Sequence, residues 1–220
     1  MLLSFQTEPE STNYDEVEDK RLHFFEKRDP IPMMPQGIWQ VSCGIVQLSQ
    51  LQTHGEEMLL GWAKPLTFFG RWFSNLGAYQ ARALSKVYLK WYSLEEIEAS
   101  PLLTRSILSG VTRRLRQTEM LLAIAGLGRV EERLIALLNL LKTELGETVE
   151  DGTRLEVRFT HQNIADAIGT TRVTVTRLLG NFQREGLIRV DRNRHLVLMS
   201  SESSDAAKTL TGKPITRVQN

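Results

Sequence analysis

Apolar residues follow two rhythms along this chain. From Leu22 to about Tyr92 they come in short runs: Leu22-His23-Phe24-Phe25, Gly37-Ile38-Trp39-Gln40-Val41, Ile45-Val46-Gln47-Leu48 and Met58-Leu59-Leu60-Gly61-Trp62. Gly44, the His54-Gly55 pair and the Lys64-Pro65 pair separate them. Evenly spaced short strands between turn residues predict a β-barrel or jelly roll. From residue 93 to 145 the rhythm is helical. Ser100 followed by Pro101 is a helix start, a cap and then a residue that needs no N–H. Beyond it Leu108, Val111, Leu115, Thr118, Leu122 and Ala125 recur at steps of three and four. That is the seam of a two-stranded coiled coil sustained for about two and a half heptads; a buried core helix fits so short a run as well. Gly126 and Gly128 break the pattern and offer a hinge. A second amphipathic helix, residues 129–145, turns Leu134, Leu137, Leu138 and Leu141 inward.

The stretch FTHQNIADAIGTTRVTVTRLLGNFQREGLI, from Phe159 to Ile188, predicts two helices joined by a tight turn. Thr160 is a natural N-cap, with Asn163 at the third helical position. Ile164, Ala165 and Ile168 form one apolar face. Gly169 supplies the permissive backbone of a sharp interhelical turn. Thr170 or Thr171 caps the second helix, which runs from Arg172 and is expected to bury Val173, Val175, Leu178, Leu179 and Phe182. Arg172, Thr174, Thr176 and Arg177 lie opposite, all donors suited to base edges or phosphates. In a helix-turn-helix the first residues of the second helix reach the bases, and arginine is the usual bidentate partner of guanine. An ordinary helical hairpin with a basic outer face is the bland alternative. Residues 187–190 and 195–198 then predict two strands around the polar turn Asp191-Arg192-Asn193-Arg194.

These features resemble the CRP/FNR family of transcription regulators, with Thr171 to Gly180 most similar to its cyanobacterial nitrogen regulators. The likeness covers roughly residues 22 to 199. It implies an α+β fold: an N-terminal cyclic-nucleotide-binding-like β jelly roll, a long dimerisation helix and a C-terminal winged helix-turn-helix. The corresponding division is an acidic tail expected to be disordered (1–20), sensor (21–99), dimerisation helix (100–127), DNA-binding domain (128–200) and flexible tail (201–220). The resemblance further implies a cytoplasmic homodimeric activator, with palindromic double-stranded DNA and RNA polymerase as partners. DNA contacts fall on Thr160, His161, Gln162, Thr171, Arg172, Val173, Thr174, Thr176 and Arg177, and dimer contacts on the seam Leu108, Val111, Leu115, Thr118, Leu122 and Ala125.

Charge sharpens this picture. The 220 residues carry a net charge of only +1, but unevenly. Residues 154 to 195 hold eight Arg against four acidic residues, while residues 1 to 20 hold six acidic residues against one Lys. The positive region is where DNA is expected. Cys43 is the only cysteine, which excludes an intrachain disulfide and a cysteine-ligated iron–sulfur cluster. His23, His54, His161 and His195 lack ligand spacing, so no metal site is expected. Neither a nucleophile–base grouping nor a phosphate-binding Gly-Lys loop is present, so no enzyme is expected. No apolar run reaches the length of a membrane span. Trp39, Trp62, Trp72 and Trp91 are assigned to the core or a domain interface.

The family's ligand loop matches Phe69-Gly70-Arg71-Trp72-Phe73, followed by Tyr79-Gln80-Ala81-Arg82-Ala83. Cyclic-AMP binders of this family carry a glutamate after the glycine and a serine after the arginine. Arg71 and Ala83 stand there instead, which argues against cyclic AMP. In the nitrogen-regulator branch the effector is 2-oxoglutarate. By that resemblance Gly70, Arg71, Trp72, Arg82, Arg114 and Glu119 are the candidate effector residues, with Arg82 and Arg114 expected to converge on a dicarboxylate. Arg71 and Trp72 either add an anion contact or fill the space. Three readings remain open at this point: regulation by a small anion, regulation without an effector, and an adaptor whose β-domain binds a protein.

Overall fold

The computed structural model describes residues 22–53, 55 and 57–200. The two expected tails and His54 lie outside the described residues. Eight strands build the N-terminal half: β1 (Leu22–Phe25), β2 (Pro30–Ile31), β3 (Gly37–Cys43), β4 (Val46–Leu51), β5 (Glu57–Ala63), β6 (Phe68–Phe69), β7 (Tyr79–Ala83) and β8 (Val87–Ser93). They form two antiparallel sheets, β1-β8-β3-β6 and β2-β7-β4-β5. Trp39, Val41, Val46, Leu48, Phe69, Ala81 and Leu89 fill the space between them. Gly44 turns β3 into β4 at φ +85°, a conformation that costs a side chain strain. This is the jelly roll that the short apolar runs predict.

Three helices carry the chain away from the sheets. Ser93 opens α1 (Leu94–Ala99) with a capping box shared with Glu96, and Ser100 caps α2 (Pro101–Ala125) through the Leu103 N–H. Helix α3 (Val130–Leu145) follows the break at Gly126 and Gly128. One face of α2 buries Ile107, Gly110, Gln117 and Ile124. The opposite face leaves Leu108, Val111, Leu115 and Leu122 exposed, with Leu115 at 57% and Leu122 at 73%. Thr118 and Ala125 are exposed beside them. The row is therefore no part of this chain's own core.

The C-terminal part contains an unexpected hairpin, β9 (Gly146–Val149) and β10 (Gly152–Leu155). Its strands are four residues each, and only the Asp151-Gly152 turn marks it in the sequence. Helices α4 (His161–Ile168) and α5 (Arg172–Arg184) precede β11 (Ile188–Val190) and β12 (Leu196–Met199). The last sheet runs β11-β12-β10-β9, so the expected wing is extended by the hairpin into four strands. Gly152 is required there because a Cβ would collide with the Leu198 carbonyl.

The two halves share a core. Ile45, Trp62 and Ile124 belong to the same buried cluster as Leu134, Leu138, Ile164 and Leu178. Trp62 meets Phe159 edge to face at 6.0 Å, immediately before α4.

Candidate nucleic-acid interface and sensor residues

Local chemistry sets the geometry of the α4–α5 pair. The Thr160 hydroxyl accepts from the Asn163 N–H at 3.1 Å, and the Asn163 side chain accepts from the Thr160 N–H at 3.1 Å. Gly169 takes the left-handed conformation, φ 61° and ψ 56°, which a Cβ would disfavour. Thr171, rather than Thr170, caps α5 by accepting from the Thr174 N–H at 3.2 Å. Ile164, Ala165 and Ile168 pack against Val175, Leu178, Leu179 and Phe182.

Val173 departs from the expected apolar stripe, with 78% of its surface exposed. It lies two residues from Val175, hence roughly 200° around the helix from the buried face. Its placement among the candidate DNA contacts is compatible with that exposure; its placement in the core is not.

The polar residues of this surface divide into tied and free. Thr176 donates to the Arg172 carbonyl at 2.8 Å and meets His161 Nδ1 at 2.7 Å. This hydrogen bond links the two helices. Gln162 donates to Asp166 at 2.7 Å, and Thr171 and Thr174 share a hydrogen bond of 2.9 Å. Arg172 and Arg177 are exposed, and among the described residues neither guanidinium has a hydrogen bond or ion pair. Two uncommitted guanidinium forks on the outer face of α5 can take a guanine edge or a phosphate.

Ion pairs hold the wing. Arg154 Nε donates to Asp191 at 2.7 Å, and Asp191 also accepts from the His195 N–H at 2.8 Å. Those two bonds hold the Asp191 carboxyl down at about 2. Arg189 grips Asp151 with both Nε and Nη2, at 2.7 and 2.8 Å. This second pair fastens β11 to the turn of the hairpin missed in the sequence.

In the sensor the candidate arginines do not converge. Along β7 the side chains of Tyr79, Ala81 and Ala83 face the jelly-roll interior, so Arg82 faces outward. Its Nη1 donates to the Arg28 carbonyl at 3.1 Å and its Nη2 lies 3.8 Å from Glu57. Arg114 lies elsewhere, along the free edge of β5, within reach of the Leu60 and Trp62 carbonyls. It lies over Gly61, where a Cβ would collide with Arg114 and Gln117. Register pairs Gly61 with Leu48 and Leu48 with Ala81, all on the inner face, whereas Gln47 pairs with both Trp62 and Arg82 on the outer one. The expected Arg82–Arg114 pocket is therefore corrected: counting residues from Gly70 does not reveal which face of a strand a side chain takes.

Arg114 is largely buried and has no carboxylate partner within ion-pair distance among the described residues. Its Nη1 donates to Gln117 Oε1 at 2.7 Å and, more weakly, to the Trp62 carbonyl at 3.5 Å; Nη2 reaches the Leu60 carbonyl at 3.4 Å. Burial pulls the Arg114 guanidinium below its ordinary value, against the opposing pull of Tyr79 and Glu144. Burial likewise raises the Tyr79 hydroxyl, against the pull of Arg114. Trp72 neither fills this space nor joins the core as expected: it is 51% exposed on a short 3-10 turn, Arg71–Phe73, its ring tilted against Phe73 at 5.3 Å. Arg71 is exposed with it, and Gly70 packs against Ile38. Glu119 is exposed on α2 beside Leu115 and Leu122, away from Arg114.

A jelly roll joined by a long helix to a helix-turn-helix with a wing defines a DNA-binding transcription regulator. Comparison gives the family. Residues 132–202 match the model of the Crp-like helix-turn-helix domain. The chain is 34% identical over 180 residues to the regulatory protein CysR of Synechococcus elongatus, covering 80% of this chain and 83% of that protein. It is 32% identical over 160 residues to the global nitrogen regulator of Synechocystis sp., covering 69% and 71%. Among solved structures it is similar to a CRP/FNR-family transcriptional regulator of Thermus thermophilus, with a TM-score of 0.68, 26% identity, and coverage of 86% of this chain and 97% of that one. The chain belongs to the CRP/FNR family of transcription regulators, close to the cyanobacterial nitrogen regulators. No helix of the described residues is long and apolar enough to cross a membrane.

Proposed function

We propose that this regulator binds a palindromic operator as a homodimer in the cytoplasm, with one α5 in the major groove of each half-site. The observation that carries the reading is the pair of uncommitted guanidinium groups, Arg172 and Arg177, on the outer face of a capped α5. Arg172 stands at the first helical position, where a side chain meets base edges, and is assigned to a guanine. Thr160, His161 and Gln162 approach the phosphates from the start of α4, and Thr171, Val173, Thr174 and Thr176 line the same face. Dimerisation uses the exposed apolar row of α2, which has no cover in one chain. Bound upstream of a promoter, such a dimer would act through RNA polymerase.

The effector assignment narrows to Arg114. A buried guanidinium without a carboxylate suits a small anion such as 2-oxoglutarate, because an unpaired buried charge is costly. Arg82 is not part of that site. Titration calorimetry with 2-oxoglutarate and with cyclic AMP tests this: heat with the former alone supports it, and no heat with either leaves a regulator that acts without a small effector.

A further inference from the structure

A cleft of about 1340 Å³ separates the outer face of the sensor from the starts of α4 and α5. Six cations line it: Lys27, Arg28 and Arg82 from the sensor, and Arg158, Arg172 and Arg194 from the DNA-binding half. Among its described lining residues only Glu57 and Asp166 oppose them. Arg82 reaches Glu57; the other five have no ion pair among the described residues. Lys27 is crowded by Arg158 and Arg28, which, after burial, lower the affinity of its amine for a proton. Like charges on both sides of a domain boundary repel, so the closed cleft is electrostatically incomplete.

Tight turns present the cations at both walls of the cleft. The turn bearing Lys27 and Arg28 is pinned by the Arg28 N–H to the Ala83 carbonyl at 2.8 Å and by Asp29 accepting from the Glu26 N–H at 2.9 Å. Arg28 and Arg194 take left-handed backbone conformations, φ 80° and 61°, and only Leu66 does so among the other described non-glycine residues.

We propose that the acidic segment 1–20 of the same chain occupies this cleft and stands in for DNA phosphates. That segment carries Glu8, Glu10, Asp15, Glu16, Glu18 and Asp19 against Lys20, a net charge of −5. The six cations and two carboxylates among the described residues of the cleft give +4. The segment joins the fold at Leu22, five residues before Lys27, hence no more than about 19 Å from it, while 21 extended residues span about 70 Å. A second copy would bring the same positive surface and be repelled. The segment competes with DNA for Arg172, weakening non-specific binding, which is mostly electrostatic, more than specific binding. This consequence rests on the DNA-binding reading; the docking itself does not.

Carbodiimide cross-linking of the full chain, read by mass spectrometry, tests the docking directly. The expected product is an amide within one chain between Lys27 and a carboxylate of residues 8–19, suppressed by excess duplex DNA or high salt. Absence of that product, or its appearance only between chains, overturns the proposal. A variant with all six acidic residues of the segment neutralised (E8Q, E10Q, D15N, E16Q, E18Q, D19N) should bind a non-specific duplex at low salt roughly tenfold more tightly, the order expected for removing a few competing anionic contacts. Inorganic triphosphate should bind the neutralised variant more tightly than the parent. Equal triphosphate affinity, or equal duplex affinity, would mean that the segment is not the occupant. If no form binds DNA while the Lys27 cross-link still forms, the docking stands and the DNA-binding reading falls.

Discussion

Gln117 on α2 donates to Glu144 on α3 at 3.2 Å, across the break at Gly126 and Gly128. Its Oε1 accepts from the Trp62 N–H at 2.8 Å and from Arg114 at 2.7 Å. Glu144 is also paired with Lys64 at 3.1 Å. One amide thus touches the sensor strand, the arginine assigned to the effector and the first helix of the DNA-binding half. A shift of Arg114 on anion binding would change the bonds of Gln117 and hence the seat of α3. Coupling of this kind needs a ligand that prefers one of two arrangements.

Gln117→Leu removes all three bonds and leaves the buried Trp62 N–H without an acceptor. Loss of such a partner costs about 1–3 kcal/mol. Denaturant unfolding should show that loss, and operator affinity should change although Gln117 is not assigned to DNA. Unchanged stability would mean that water or a rearranged neighbour replaces the amide.

Arg114→Gln should abolish calorimetric heat with 2-oxoglutarate, whereas Arg82→Gln should retain it, since Arg82 faces outward from β7 and Arg114 lies along the edge of β5. The reverse pattern would move the effector to the outer face.

Leu115→Glu should dissociate the dimer, because two carboxylates would meet across an apolar seam, and operator binding should be lost with it. Sedimentation showing an intact dimer would place Leu115 outside the interface. The same substitution should leave the fold of one chain intact, as Leu115 is exposed there.

Asp191 gives a pH dependence of defined sign. Its folded value of about 2 lies below the ordinary aspartate value, about 3.9. Its stabilising contribution is therefore in force above about pH 4 and is lost as the pH falls toward 2. Asp191→Asn should lower the melting temperature at pH 7 and reduce the further loss seen on acidification. Parallel acid profiles for the two proteins would assign the acid sensitivity to other groups.

What the sequence made legible was local. The α4–α5 pair could be read because Thr160, Gly169 and Thr171 act within a few residues of themselves. The apolar row of α2 was legible as a period, and Leu108, Leu115 and Leu122 are exposed in the single chain. Strand parity was not legible: a spacing of twelve residues from Gly70 to Arg82 says nothing about which face Arg82 takes. Val173 was misread because an apolar residue next to a buried stripe looks like part of it. The hairpin of β9 and β10 was missed because four-residue strands carry little pattern, and their support comes from the distant β12. The shared core of Trp62 with α3 and α4 likewise depends on contacts far apart in sequence.

In the proposed two-fold complex α5 reads bases through Arg172. A palindromic duplex enriched from a random pool by in vitro selection, titrated at fixed salt against the parent and Arg172→Ala, tests it most directly. Two chains per duplex are expected, with a loss of about 1–3 kcal/mol on the selected duplex, relaxed discrimination at one base pair of each half-site, and little change on random DNA. One chain per duplex, or equal losses on selected and random DNA, would contradict it.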